Sequence, residues 1–399
     1  MTNPIVIVGA SLAGLRCAEA LRRNKYLGPI KIIGDEPYLP YNRPPLSKDL
    51  LSTDSGVEEV LFPLKDSIAD VEWVLGTAAA GVDTKAQVVT DLSGNKHPYS
   101  NLVIATGLRP KPLPVDANGI SGIHVLRTID DAVGLRKSLV PGAKVLILGS
   151  GFIGCEVAAT AIKKGCEVKV VSRHHEPIEH ALGKTLSAEV KKRHISKGVE
   201  FVRGASVFGL MGDGALERVI LDSGVIYEAD VLVVAIGSLA NTEWLSDSGI
   251  DISDGVLTDS AMRALDESGE IVPHVFAIGD VARYPNALFD EVPRRVEHWN
   301  LPSETAKRAA EVIAAEEQGF GIEEVVAKPF APLPSFWSDQ YEMNILSFGM
   351  TYLADESKLV EGDISGECVF EYYRQGELIG VCGIGMRPKI QSYRTRFEA

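Results

Sequence analysis

No two cysteines in this chain are spaced as C-x-x-C, and none of the five (Cys17, Cys155, Cys166, Cys368 and Cys382) falls into a metal-ligating pattern. Their odd number and irregular spacing argue against a disulfide framework, so most are expected as small buried hydrophobes. Long apolar runs are also missing. The amino-terminal stretch MTNPIVIVGASLAG has no basic region, and glycines interrupt its apolar start at once. With neither a secretory signature nor a run of spanning length, the expected compartment is the cytoplasm, without membrane association. Positive charge is in the minority: 40 Lys and Arg against 54 Asp and Glu give a net charge of −14. That balance argues against a general nucleic-acid binder, which needs a basic face.

The tail runs against this balance. MRPKIQSYRTRF carries Arg387, Lys389, Arg394 and Arg396 with no acid among its twelve residues. It reads either as a solvated terminus or as a docking patch for an acidic partner.

Glycine is plentiful, with 38 residues in a chain of 399, alongside 45% hydrophobic and 24% charged residues. This length and composition predict a soluble α/β protein of about two or three domains. One design occurs twice. IVIVGASLAG at 5–14 and VLILGSGFIG at 145–154 are each an apolar strand, a glycine-rich turn and the start of a helix. The second is a full G-x-G-x-x-G at Gly149, Gly151 and Gly154; the first keeps Gly9 and Gly14 but has Ser11 in the middle. In such a turn the first glycine permits the bend, the middle one admits a pyrophosphate, and the third lets helix and strand pack closely. The helix start then offers free N–H groups to phosphate. Each copy is followed by a second strand, IKIIGDE at 30–36 and EVKVV at 167–171. Two strand–turn–helix–strand units predict two dinucleotide sites. Their candidate contacts are Gly9, Ser11, Ala13 and Gly14 in the first, and Gly149, Gly151, Phe152, Ile153 and Gly154 in the second.

The residue closing the second strand discriminates between nucleotides. After the first unit it is Asp35 or Glu36, suited to a ribose hydroxyl; after the second, VVSRHHEP puts Ser172, Arg173, His174 and His175 there instead. An arginine and a hydroxyl suit a 2′-phosphate, so the second site is expected to take NADPH or to accept both nucleotides, with solvent-facing turn residues as the alternative. LVIATG at 102–107, VLVVAIG at 231–237 and VFAIGD at 275–280 read as further strands ending in glycine turns. They add Thr106, Gly107, Ile236, Gly237, Gly279 and Asp280 to the candidates. With the first fingerprint at residue 9 and the last motif near 280, the second nucleotide domain must interrupt the first.

Residues 41–48 read YNRPPLSK. Pro44 and Pro45 fix φ and remove two donors, and a residue before proline is pushed toward an extended shape. A stiff segment holding Arg43 and Lys48 at a fixed offset is therefore expected, with an ordinary solvated loop as the alternative.

The ordered set of first fingerprint, YNRPPLSK, ATG, second fingerprint with FIGCE, AIGD and VEHW resembles the FAD-dependent NAD(P)H:ferredoxin reductases that serve bacterial cytochrome P450 and ring-hydroxylating oxygenase systems. These belong to the glutathione-reductase-like flavoprotein superfamily. The resemblance implies an α/β fold of two nested Rossmann-like dinucleotide-binding domains with a smaller α+β C-terminal domain. FAD would be bound by about 1–113 and 241–328 and NAD(P)H by about 114–240, with an interface domain at about 329–399, where the proline-rich KPFAPLPSFW also marks a composition shift.

The resemblance also implies roles. It places Arg43 and Lys48 along FAD, with Lys48 at the ring edge where a cation favours the reduced flavin. Glu156 would face Lys48 and the nicotinamide, although a glutamate near a helix start also reads as a dipole-complementing residue. Ala79 would meet adenine through its backbone and Arg127 would lie on the FAD side. Glu297, His298 and Trp299 would flank the flavin, with His298 structural or a ring neighbour rather than a catalyst. The implied activity is hydride transfer from NAD(P)H to FAD, then single electrons to an acidic, transiently bound 2Fe–2S ferredoxin feeding a P450 or Rieske-type oxygenase. A monomer is expected. Two alternatives remain: an NAD(P)H oxidase or disulfide or persulfide reductase, which needs a cysteine that 41–48 lacks, and a redox-sensing flavoprotein like apoptosis-inducing factor.

Overall fold

The computed structural model describes residues 3–53, 56–173 and 176–397. They gather into two compact units, each assembled from three stretches of chain. Met1–Asn42, Leu61–Arg109 and Ala240–Pro334 form one; Arg43–Val60, Pro110–Leu239 and Ser335–Ala399 form the other.

In the first unit, Ile5–Val8 is a strand of four residues at most 3% exposed. Burial on both faces is what an uninterrupted apolar run demands, and it places this strand inside a parallel sheet. Ile30–Gly34 pairs with it in parallel on one side and Leu102–Ile104 on the other. The sheet continues to Glu72–Leu75 beyond the former, and to Ile271–Ala277 and the antiparallel edge Arg263–Leu265 beyond the latter. The strand order therefore reverses at Ile5–Val8, which opens a crevice at its carboxyl end. Helix Leu12–Arg23 packs against helix Leu301–Glu317. Small residues on the latter (Ala306, Ala309 and Ala310, all fully buried) allow the close approach.

The second unit repeats the plan. Lys144–Leu148 lies between Glu167–Ser172 and Val231–Val234, all parallel, with Glu200–Arg203 and Ile123–His124 at the edges. Its last segment is a five-stranded antiparallel sheet beginning with Ser335–Gln340. The buried face of that sheet, including Met343, Ile345, Phe370 and Ile384, shares one core with Cys155 and with Leu182, Leu186 and Val190 of helix Glu179–Ser196. Two parallel-sheet Rossmann-like units and an α/β fold are thus present. Among the described residues no helix is long and apolar enough to cross a membrane.

One local expectation fails. Arg43 is not extended: its φ of −77° and ψ of −34° are helical, because it caps a 3-10 turn over Pro44–Ser47 and its carbonyl accepts the Leu46 N–H at 2.9 Å. The bond outweighs the pre-proline preference. All five cysteines are buried and unpaired.

Candidate nucleotide turns and a buried lysine–glutamate pair

The two glycine turns are built to one measure. Gly9 has a φ of +126° and Gly149 of +110°. A Cβ on Gly9 would lie 2.1 Å from the Ala105 carbonyl oxygen, and one on Gly149 would lie 2.1 Å from that of Ala235. Likewise a Cβ on Gly14 or Gly154 would lie 2.1 Å from the oxygen of Gly9 or Gly149. First and third glycines are thus demanded by the protein's own backbone. The middle place is different: a Cβ on Gly151 would meet nothing within 4 Å. Ser11 occupies that place in the first turn, in an extended conformation and with no capping bond from its side chain. A cradle empty of protein, next to the free amides that open a helix, fits a dinucleotide pyrophosphate. Ala13 and the pair Phe152–Ile153 lie in those first helical turns.

Elsewhere in the first unit the structure sets the remaining candidates in definite surroundings. Gly279, at a φ of +70°, approaches Ala13 so closely that its Cβ would sit 2.9 Å from the alanine methyl, and its amide donates to Thr305 Oγ1 at 2.9 Å. Asp280 follows it in the short turn Gly279–Val281. Thr106 Oγ1 donates to the Asn241 carbonyl at 2.8 Å, while Asn241 Nδ2 returns a bond to the Thr106 carbonyl at 2.9 Å. This clasp holds the turn at Gly107, whose φ is +61°. Asp35 is exposed, whereas Glu36 accepts the Tyr41 hydroxyl at 2.5 Å. Ala79 pairs with Asp91 at the start of strand Ala79–Asp83. Glu297 is exposed and bound by Arg295 at 2.6 Å, and Trp299 Nε1 donates to Asn42 Oδ1 at 3.2 Å. Loss of water around His298 pushes its imidazole down to about 4, so it is neutral near neutral pH.

In the second unit, Ser47 and Lys48 are fastened to one face of helix Phe152–Lys163. Glu156 and Thr160 lie four residues apart, so both point the same way. Thr160 Oγ1 donates to the Ser47 carbonyl at 2.9 Å. The Glu156 carboxylate receives Lys48 Nζ at 2.8 Å and the Ser47 hydroxyl at 2.5 Å on Oε2, and the Ser338 hydroxyl at 2.5 Å on Oε1. Glu156 is only 5% exposed and lies beyond the first turn of its helix, which holds no acid, so the dipole of the helix start reaches it weakly. Arg43 Nη1 donates to the Arg127 carbonyl at 2.6 Å, and Asp131, in a capping box with Thr128, accepts the Arg127 amide at 2.9 Å. Arg127 is therefore fixed at both backbone groups.

Near the second glycine turn, Gly237 follows Ile236 with a φ of +99°, and its carbonyl accepts the Lys111 amide at 3.0 Å. Ser172 ends its strand and Arg173 is exposed beyond it; His174 and His175 lie outside the described residues. Glu176, the next acid along the chain, is engaged by Lys191 at 2.8 Å and Arg203 at 3.1 Å. The basic tail is partly neutralised: Lys389 meets Glu361 at 2.7 Å and Arg396 meets Glu371 at 2.6 Å. Sequence reading missed Ser47, Ser338, Asn241 and Thr305. Ser47 lay inside a motif already singled out; nothing in the residues near Ser338 or Thr305 marked them.

The family model described as pyridine nucleotide-disulphide oxidoreductase matches residues 3–319. The anthranilate 1,2-dioxygenase system ferredoxin–NAD(+) reductase component of Burkholderia cepacia is 35% identical, covering 100% of this chain and 94% of that protein. A ferredoxin–NAD(P)(+) reductase of Sphingomonas sp is 32% identical, covering 98% and 92%. The crystal structure of the covalent putidaredoxin reductase–putidaredoxin complex superposes with a TM-score of 0.90 at 28% identity, over 99% of this chain and 93% of that one.

Proposed function

This chain belongs to the pyridine nucleotide-disulphide oxidoreductase family, and from that premise we propose that it is a ferredoxin–NAD(P)+ reductase. It takes hydride from NAD(P)H and delivers single electrons to a 2Fe–2S ferredoxin that feeds a P450 or ring-hydroxylating oxygenase. Bound FAD supplies the conversion between a two-electron donor and a one-electron acceptor.

We assign FAD to Gly9, Ser11, Ala13, Gly14, Asp35, Glu36, Arg43, Lys48, Ala79, Thr106, Gly107, Arg127, Gly279, Asp280, Glu297, His298 and Trp299. NAD(P)H is assigned to Gly149, Gly151, Phe152, Ile153, Gly154, Glu156, Ser172, Arg173, Ile236 and Gly237. In domain terms, 1–113 and 241–328 carry the flavin, 114–240 the nicotinamide nucleotide and 329–399 the interface. The turns supply backbone amides and room; Glu156 holds the Lys48 ammonium in place, so positive charge is ready without reorganisation. Since hydride transfer needs close approach and alignment, orientation is the main contribution asked of these side chains.

The observation that carries this reading is the absence of a usable thiol. The segment fastened to Glu156 holds no cysteine, and all five cysteines are buried. Burial pushes the Cys17 thiol up to about 12 and raises those of Cys155 and Cys382 further. A thiolate is what disulfide or persulfide reduction requires. Cytoplasmic residence is supported by the same five unpaired cysteines.

The test is steady-state reduction of a 2Fe–2S ferredoxin with NADH and with NADPH, beside a disulfide substrate. Rapid ferredoxin turnover and no disulfide turnover are expected. Disulfide reduction without ferredoxin reduction would overturn the assignment, and a slowly decaying charge-transfer band in stopped flow would point to a redox sensor instead.

A further inference from the structure

Beyond the lysine–glutamate pair lies a line of polar side chains buried where the fold has no need of them. Strand Ser335–Gln340 turns Phe336, Ser338 and Gln340 inward, as its period of two requires. Ser338 and Gln340 are fully buried. So is His194, in the last turn of helix Glu179–Ser196. An apolar core accommodates such groups only when they are bonded, because one left unsatisfied loses its hydration with nothing in return.

Their bonds run in one direction. The single Ser338 proton goes to Glu156 Oε1 at 2.5 Å, so the Ser338 oxygen accepts from Gln340 Nε2 at 2.9 Å. That turns Gln340 Oε1 to His194 Nε2 at 2.7 Å, and His194 must carry its proton there. His194 Nδ1 is buried with no partner, and the imidazole ring packs in T-shaped contacts with Phe201 and Tyr341 at ring separations of 6.0 and 5.2 Å. Reversing the amide would face the Ser338 oxygen with two acceptors for one proton and would place an N–H on unpartnered Nδ1. Both changes are unfavourable, so the polarity is fixed.

We propose that Ser338, Gln340 and His194 are positioning residues: a one-way relay of donors that locks the Glu156 carboxylate in the rotamer that presents Oε2 to Lys48. The inference rests on the electron-transfer reading above. Burial disfavours protonation of His194, which keeps it a single donor. With Oε1 held by Ser338 and Oε2 by Ser47 and Lys48, Glu156 has no second arrangement available.

The test uses the holoenzyme with two readouts. In protein labelled with 15N-histidine at neutral pH, the His194 resonances (identified by their loss in His194→Gln) should report the Nε2–H tautomer. The Nδ1–H tautomer or an imidazolium would overturn the relay. In stopped flow, Ser338→Ala and Gln340→Leu should slow flavin reduction by NAD(P)H roughly tenfold, the scale of a slightly misplaced reacting group, with Ser338→Thr restoring the rate. Ser338→Thr as slow as Ser338→Ala, or Ser338→Ala as fast as wild type, would also overturn it. Lys48→Met separates the two levels of argument. If it slows reduction while Ser338→Ala and Gln340→Leu do not, the relay alone fails; if it changes nothing, the reading of Lys48 fails.

Discussion

Gly149 and Ala235 stand so close that a methyl group on the glycine would lie 2.1 Å from the alanine oxygen, a distance no packed side chain tolerates. The same contact, at the same distance, joins Gly9 and Ala105 in the other unit. Both glycines also hold a positive φ. Each first turn is thus held against the strand end beside it, and the two turns can be disabled independently.

Gly149→Ala should raise the KM for NAD(P)H by more than about tenfold while flavin content stays at the wild-type level, since a strained backbone residue costs of order 1–3 kcal/mol even before the clash. Gly9→Ala should instead yield protein that purifies with little flavin. Absorbance of the isolated flavin and nucleotide titration check both. Flavin loss in Gly149→Ala would contradict the assignment of the two turns.

Lys48 carries positive charge fixed by Glu156. Lys48→Met and Glu156→Gln should each lower the rate of flavin reduction by roughly tenfold to a hundredfold, with FAD retained, as removal of a preorganised charge does. Single-turnover stopped flow measures this directly.

Arg173 is exposed beyond its strand, and the nearby acid Glu176 is engaged by Lys191 and Arg203. Arg173→Glu should depress kcat/KM for NADPH by about an order of magnitude, the value of one charge-assisted contact, and leave NADH nearly unchanged. Equal effects on both nucleotides would remove Arg173 from phosphate recognition.

Of the four basic tail residues, Lys389 and Arg396 are tied to Glu361 and Glu371, while the Arg394 guanidinium stacks 5.7 Å from the centre of the Phe348 ring. A partner with acidic surface therefore meets less charge than the sequence suggests. Arg387→Glu with Arg394→Glu should raise the KM for ferredoxin roughly threefold to tenfold, more so at low salt, and leave ferricyanide reduction intact. A parallel fall in both activities would show that the tail matters for folding rather than docking.

His298 gives a pH signature. Its folded-state value of about 4 lies below the ordinary 6.5, so the unfolded chain takes up a proton that the fold refuses. The stability of the neutral ring is complete above 6.5 and is lost as pH falls toward about 4. Melting temperature against pH should fall less steeply for His298→Gln over that window. Identical slopes would mean the ring is solvated in the folded protein.

The glycine turns, the strands beside them and the missing redox cysteine were legible because each is a local demand. A positive φ, an apolar run buried on both faces and a residue type that is simply absent can all be read without knowing what lies opposite. Arg43 shows where local rules stop: the preference of a residue before proline gave way to a single turn hydrogen bond from Leu46. The tail shows it again, since the acids that pair with Lys389 and Arg396, Glu361 and Glu371, lie on strands earlier in the chain.

From the sequence alone came two glycine turns and an α/β plan; that Glu156 faces Lys48 was implied only by the family resemblance. Tertiary structure alone decided what grips that glutamate. Ser338 reaches Glu156 from a strand far along the chain, with Gln340 and His194 bonded in line behind it, and these hydrogen bonds gain direction only once burial removes water as the alternative partner.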